Sequence, residues 1–136
     1  MEFAQLCDRV EAGEAAAGPL DTSALPGTYI NSNPQTNGIA RMVLKESGGG
    51  RLSLRVHAVG PEDEIDWGET EVAVFAAGPA SRAAAGFTCV YDFGFAETRL
   101  QAMVMKGLVV LSQFHGFKDD SGRADYFVRE YYALTR

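Results

Sequence analysis

"GFTCVYDFGFAETRLQAMVMKGLVVLSQFHGF", Gly86 to Phe117, alternates apolar and polar side chains and breaks at two glycine-bearing dipeptides. Period-two alternation marks half-buried β-strand. With Phe93-Gly94 and Lys106-Gly107 as two-residue turns, the stretch reads as three consecutive antiparallel strands. Turn position then fixes which residues oppose one another. The first turn sets Tyr91 opposite Ala96, Cys89 opposite Thr98 and Phe87 opposite Leu100. The second sets Val104 opposite Val109, Ala102 opposite Leu111, Leu100 opposite Gln113 and Thr98 opposite His115. A further hairpin centred near Asp120-Ser121 sets His115 beside Tyr126, Gln113 beside Val128 and Leu111 beside Glu130.

One face of these strands therefore carries Phe87, Cys89, Tyr91, Ala96, Leu100, Ala102, Val104, Val109, Leu111 and Val128. The other carries Asp92, Glu97, Arg99, Gln101 and Arg129, which are expensive to bury. The first face is the core face. It also holds polar groups: Thr98, His115 and Tyr126 in one lateral row, Gln113 one step deeper, and Glu130 beyond it. Such groups either pair with one another or converge on a ligand in an apolar cavity. His115 is the one among them whose ordinary titration lies near neutral pH.

Outward from this stretch, the period stays at two from Leu25 onward, with Gly, Pro and Asn between short runs. Eight strands are expected, at about 27–32, 38–45, 51–58, 70–76, 86–93, 95–105, 107–117 and 124–134. Most separators are hairpin-sized, so neighbours are antiparallel. The expected fold is an all-β, eight-stranded antiparallel up-and-down barrel, whose closure removes both sheet edges. Eight strands can be filled by side chains or can hold one small ligand, and Ala96, Thr98 and Ala102 leave room on the inner wall. Ahead of it, Phe3, Leu6 and Val10 recur at helical spacing, which predicts a helix over residues 2–16, ended by Gly18-Pro19. The domain organisation is thus an N-terminal helix and linker, 1–24, and a barrel, 25–136.

The chain has 136 residues, 46% of them hydrophobic, with a net charge of -6 and a pI near 4.8. That suits one domain and opposes nucleic-acid binding, which needs a basic patch. No run approaches the ~20 apolar residues of a membrane helix, and the acidic start lacks the features of a signal peptide. A cytoplasmic protein, not a membrane protein, is expected. The two cysteines, Cys7 and Cys89, and the two histidines never fall at metal-ligand spacing. Neither metal nor cofactor is expected. Nothing in the sequence bears on oligomeric state.

Two stretches carry a resemblance. "LPGTYINSNPQTNGIARMVL" (25–44) with "VGPEDEIDWGE" (59–69), and "SGRADYFVREYY" (121–132) near the end, resemble small bacterial β-barrel domains of the lipocalin and avidin (calycin) type. Their first strand opens on a G-x-W or G-T-W-like motif, and Tyr29 stands here where tryptophan is usual. The resemblance implies a barrel with an interior site. Lipocalin-like barrels include ligand carriers and also cofactor-free cyclases and isomerases. It further implies that Tyr29 points inward under an arginine from the last strand, with Arg129 the candidate, against the outward facing that the register gives Arg129.

Other motif residues read as follows. Gly27 allows close backbone approach, Asn31 shares Tyr29's inward parity, and "NPQTNG" is a hairpin loop. "PEDEIDWG" has three readings: a solvated loop anchored by Trp67, a lid whose Trp67 or Asp66 touches ligand, or a cation loop that lacks calcium-loop spacing. His57 alternates with inward residues and faces out.

Two functions fit these expectations. One is the binding of a small, largely apolar molecule, with Tyr29, Asn31, Trp67, Phe87, Thr98 and Gln113 as ligand contacts. The other is a cofactor-independent cyclase or isomerase in the same cavity, with His115, Tyr126, Tyr91 and Glu130 as acid, base and charge-stabilising groups.

Overall fold

The computed structural model describes Gln5 and residues 19–136. The helix expected over residues 2–16 lies, but for Gln5, outside the described residues. The rest is strand and loop: β1 (Gly27–Asn31), β2 (Ile39–Gly48), β3 (Arg51–Ala58), β4 (Ile65–Glu71), β5 (Ala73–Ala76), β6 (Ala84–Asp92), β7 (Ala96–Met105), β8 (Leu108–Phe117) and β9 (Tyr126–Thr135). All ladders are antiparallel, in the order β4-β3-β2-β1-β9-β8-β7-β6-β5. The result is a nearly closed barrel. Among the described residues, no helix is long and apolar enough to cross a membrane.

The barrel has nine strands rather than the expected eight. The expected strand 70–76 belongs to two elements. β4 pairs with β3, and β5 pairs with β6. Buried Val72 joins them, its N–H donating to the Leu52 carbonyl at 3.1 Å. One extended segment thus crosses from one sheet edge to the other. It starts at Ile65, so Asp66, Trp67 and Gly68 lie in a strand and not in a loop. The carboxylates that made this stretch look like loop point outward. Asp66 pairs with Arg55 on β3 at 2.6 Å, and Glu69 with Lys45 on β2, one strand further, at 3.0 Å. A bulge sets Trp67 and Gly68 against the single residue Val56, with Gly68 at φ +85°. Only glycine adopts such a φ without steric cost.

Three ladders follow the facing argument. β7 and β8 pair with Thr98 opposite His115, Leu100 opposite Gln113, Ala102 opposite Leu111 and Val104 opposite Val109. β8 and β9 pair with His115 opposite Tyr126, Gln113 opposite Val128 and Leu111 opposite Glu130. Lys106 (φ +52°) and Gly107 (φ +80°) both have the positive φ that a type I′ turn demands. Between β6 and β7 the turn sits one residue later than expected. Phe93 N–H donates to the Ala96 carbonyl at 2.8 Å, so Gly94-Phe95 is the tight pair. The register moves by two, with Tyr91 opposite Thr98, Cys89 opposite Leu100 and Phe87 opposite Ala102. A shift of two preserves parity, so every residue keeps its face.

The barrel is filled over most of its length. Tyr29, Met42, Leu44, Leu54, Val56, Phe87, Leu100, Leu111 and Tyr132 are all buried in one core. One end is plugged by the segment before β1. Leu25 is buried, Leu20 packs against the core, and Asp21 bridges Ala83 ahead of β6. Tyr29 donates its hydroxyl proton to the Leu25 carbonyl at 2.6 Å, and its ring meets Phe87. The Tyr29 hydroxyl also feels the charge of Arg136, not of Arg129, which is exposed. Arg129 keeps the outward facing and does not cover Tyr29. Gly27 meets its expected role, since a Cβ there would stand 2.5 Å from the Thr135 carbonyl oxygen.

Candidate functional site

The other end is open. Four loops rim it: Ser32–Gly38, Val59–Glu64, Phe93–Phe95 and Lys118–Asp125. They surround a pocket of ≈ 670 Å³. That volume lies in the range of small-molecule sites. Trp67, Phe93, Phe95, Phe117 and Tyr126 give it an aromatic wall, with Ile39, Ala58, Ile65 and Val128 adding apolar surface. Trp67 meets Phe93 edge-on at 5.0 Å and Tyr91 at 5.4 Å. Arg123 sits at the rim. Its guanidinium lies over Phe117 at 4.2 Å and Phe95 at 5.6 Å, and pairs with Asp119 at 3.0 Å.

The floor is polar. It is built by β7, β8 and β9, whose inward residues at this level are Thr98, Gln113, His115 and Glu130. These groups form one hydrogen-bonded chain, and the chemistry of its last member orients the rest. The Glu130 carboxylate only accepts, so the Gln113 amide turns Nε2 toward Glu130 Oε1, at 3.3 Å. Gln113 Oε1 then faces His115 Nε2 at 3.2 Å, which makes Nε2 the protonated ring nitrogen. His115 Nδ1 is left to accept from Thr98 Oγ1 at 2.8 Å. The imidazole ring stacks on Tyr126, 4.6 Å between centroids. Burial holds its pKa below the ordinary histidine value, which favours the neutral ring.

Glu130 takes two more bonds, both on Oε2: from Thr36 Oγ1 at 2.6 Å and from Asn31 Nδ2 at 3.0 Å. The second Asn31 amide proton goes to the Ile39 carbonyl at 3.0 Å, and Asn31 Oδ1 accepts from Asn33 N–H at 2.8 Å. The "NPQTNG" loop is therefore more than a turn. Its Thr36 seals one side of the carboxylate. Gly38 lies close by, where a Cβ would come 3.1 Å from Glu130 Oε1.

The structure brings Thr98, Gln113, His115, Tyr126, Glu130 and Trp67 to the pocket, with Asn31 behind Glu130. Tyr29, Phe87 and Tyr91 are buried in the core and do not line it. Tyr91 places its hydroxyl 2.8 Å from the Gly68 carbonyl and 3.1 Å from that of Leu54, and burial pushes its pKa up. Cys89 is also a core residue, its thiol pushed up to about 12 by burial. His57 faces outward opposite Asp66. The facing argument missed Thr36, Phe93, Phe95, Phe117 and Arg123. They sit in loops or at strand ends, where parity gives no direction.

Set against protein-family models, curated proteins and solved structures, the chain matches none. The site's own chemistry is what its function can be argued from.

Proposed function

We propose that this protein binds a small, largely apolar molecule in the open end of its barrel, in the manner of lipocalin-like carriers. One observation carries the reading: a polar floor of convergent side chains under an aromatic wall, in a pocket sized for one small molecule. Exposed apolar side chains gathered in one rimmed patch mark an interaction or ligand site. Phe95 is 51% exposed and Tyr126 50%. A ligand body among these rings would remove that surface from water.

The floor also supports binding over a cyclase or isomerase using the same cavity. Both His115 ring nitrogens are already hydrogen-bonded, one to Thr98 and the other to Gln113. A general acid or base must reach its substrate's proton directly or through one water. Here a substrate would first have to displace Thr98 or Gln113.

The test is direct, because Trp67 is the single tryptophan and lies in the pocket wall. The neutral apolar dye Nile red should gain fluorescence on binding and change that of Trp67. Phe95→Ser should weaken dye binding several-fold while leaving the melting temperature nearly unchanged. Dye binding that ignores both Phe95→Ser and Trp67 would place the site elsewhere.

A further inference from the structure

The floor of the pocket holds an anion with no cation on it. Glu130 accepts from Asn31, Thr36 and Gln113, all neutral donors. Among the described residues, ion pairs satisfy Glu64, Glu69, Glu71, Asp66, Glu97, Asp92 and Asp119, each at the surface, and none involves Glu130. Among the described residues, Arg123 is the only Lys or Arg in the lining, and Asp119 and Ser121 hold it at the rim. His115 spends both ring nitrogens on Thr98 and Gln113 rather than on Glu130, and burial favours its neutral form.

Three neutral hydrogen bonds fix the carboxylate in place without cancelling its charge. A carboxylate can accept about four hydrogen bonds, so one acceptor position is left on Glu130. The wall above it is aromatic, and aromatic rings attract cations electrostatically. Arg123 over Phe117 and Phe95 shows that this rim already holds one cation on its rings. The net charge of -6 draws cations toward the molecule as a whole.

We propose that the ligand is an organic amine with an apolar or aromatic body, its ammonium group on Glu130 and its body among Trp67, Phe93, Phe95 and Tyr126. This rests on the binding function proposed above and names the charge of what is bound. The ammonium would supply the ion pair that Glu130 lacks. The aromatic wall would take the body and offer cation–π contact along the way. A fatty acid or other carboxylate of the same size would meet Glu130 as a like charge and bind worse than its neutral analogue.

Three probes of one shape separate these effects: phenethylamine, phenethyl alcohol and phenylacetate, titrated at pH 7 and followed by amide chemical shifts and Trp67 fluorescence. The amine should bind about 10-fold or more tightly than the alcohol, as a partly desolvated ion pair allows. The anion should bind weakest, and the amine's advantage should shrink as salt rises. Glu130→Gln keeps the shape and should bring amine and alcohol to within about 2-fold of each other. If that variant does not fold, the ranking of the three probes on the wild-type protein decides alone. Amine and alcohol binding equally to the wild type would overturn the amine assignment and leave the carrier function standing. Failure of all three probes and of Nile red would overturn both.

Discussion

His115 sits where its environment resists a proton. Its ring is stacked on Tyr126, both nitrogens are committed, and burial lowers its pKa. The folded pKa is therefore below the unfolded one, and the proton prefers the unfolded chain. Its contribution to stability is complete above the unfolded value of about 6.5 and is lost as the pH falls from there through the lower folded pKa. Urea midpoints measured between pH 7.5 and 5 should fall with pH, and His115→Gln should flatten that fall. Parallel slopes for the two proteins would show that His115 is not the source. Asp21, Asp66, Glu69, Asp92 and Asp119 have lowered pKa values through hydrogen bonds to Ser23, Gly68, Lys45, Lys118 and Ser121. They lose stabilisation only as the pH falls toward about 4, so they do not contribute in this window. The inward placement of His115, Gln113 and Thr98 was legible because each lies within a paired strand, where parity decides. Their mutual bonding was not, because parity gives a face and no distance. The anchoring of Glu130 by Asn31 and Thr36 was invisible for another reason. It joins residues 99 and 94 apart in sequence.

At the scale of the strand, a two-residue turn carries more information than the residues it joins. Lys106-Gly107 placed β8 against β7 in the right register, and the hairpin centred near Asp120-Ser121 did the same for β9 against β8. Leu111, fully buried, and Arg99, exposed, are the consequence. Leu111→Ala should cost about 2–5 kcal/mol, as core truncations do. Arg99→Ala should change stability by less than about 0.5 kcal/mol, because its ion pair with Glu97 is long and exposed. Chemical denaturation of both variants checks the ranking, and a reversed order would mean that β7 is turned over. The sequence misled at Ile65–Glu71, for a physical reason. Charged residues in a run suggest solvated loop, yet a strand on the barrel's outside meets water on one face. Its carboxylates are used there in cross-strand pairs with Lys45 and Arg55.

Among the described strands, the barrel has one unpaired seam, and it runs beside the pocket. Toward the open end β4 makes no ladder with β6. Their continuation, β5, pairs with β6 only from Ala73–Thr88 downward. Barrels abolish edges by closing, so something must hold this gap. The residue that spans it is Tyr91. From β6, its hydroxyl reaches the carbonyls of Gly68 on β4 and Leu54 on β3, while its ring packs on Trp67 and Phe93. Its hydroxyl thus joins the two edges, and Trp67 couples the junction to the pocket wall. Tyr91→Phe keeps the ring and removes the bridge. It leaves buried carbonyls short of a donor, a loss of about 1–3 kcal/mol. Hydrogen exchange should locate the loss. Amides of Ile65–Glu71 should lose protection first, while those in the β7–β8 ladder should track only the global change. Uniform loss across all strands would mean that the seam is held by the rings alone. Nile red should still bind the variant, more weakly, because the wall that carries Trp67 would no longer be fixed.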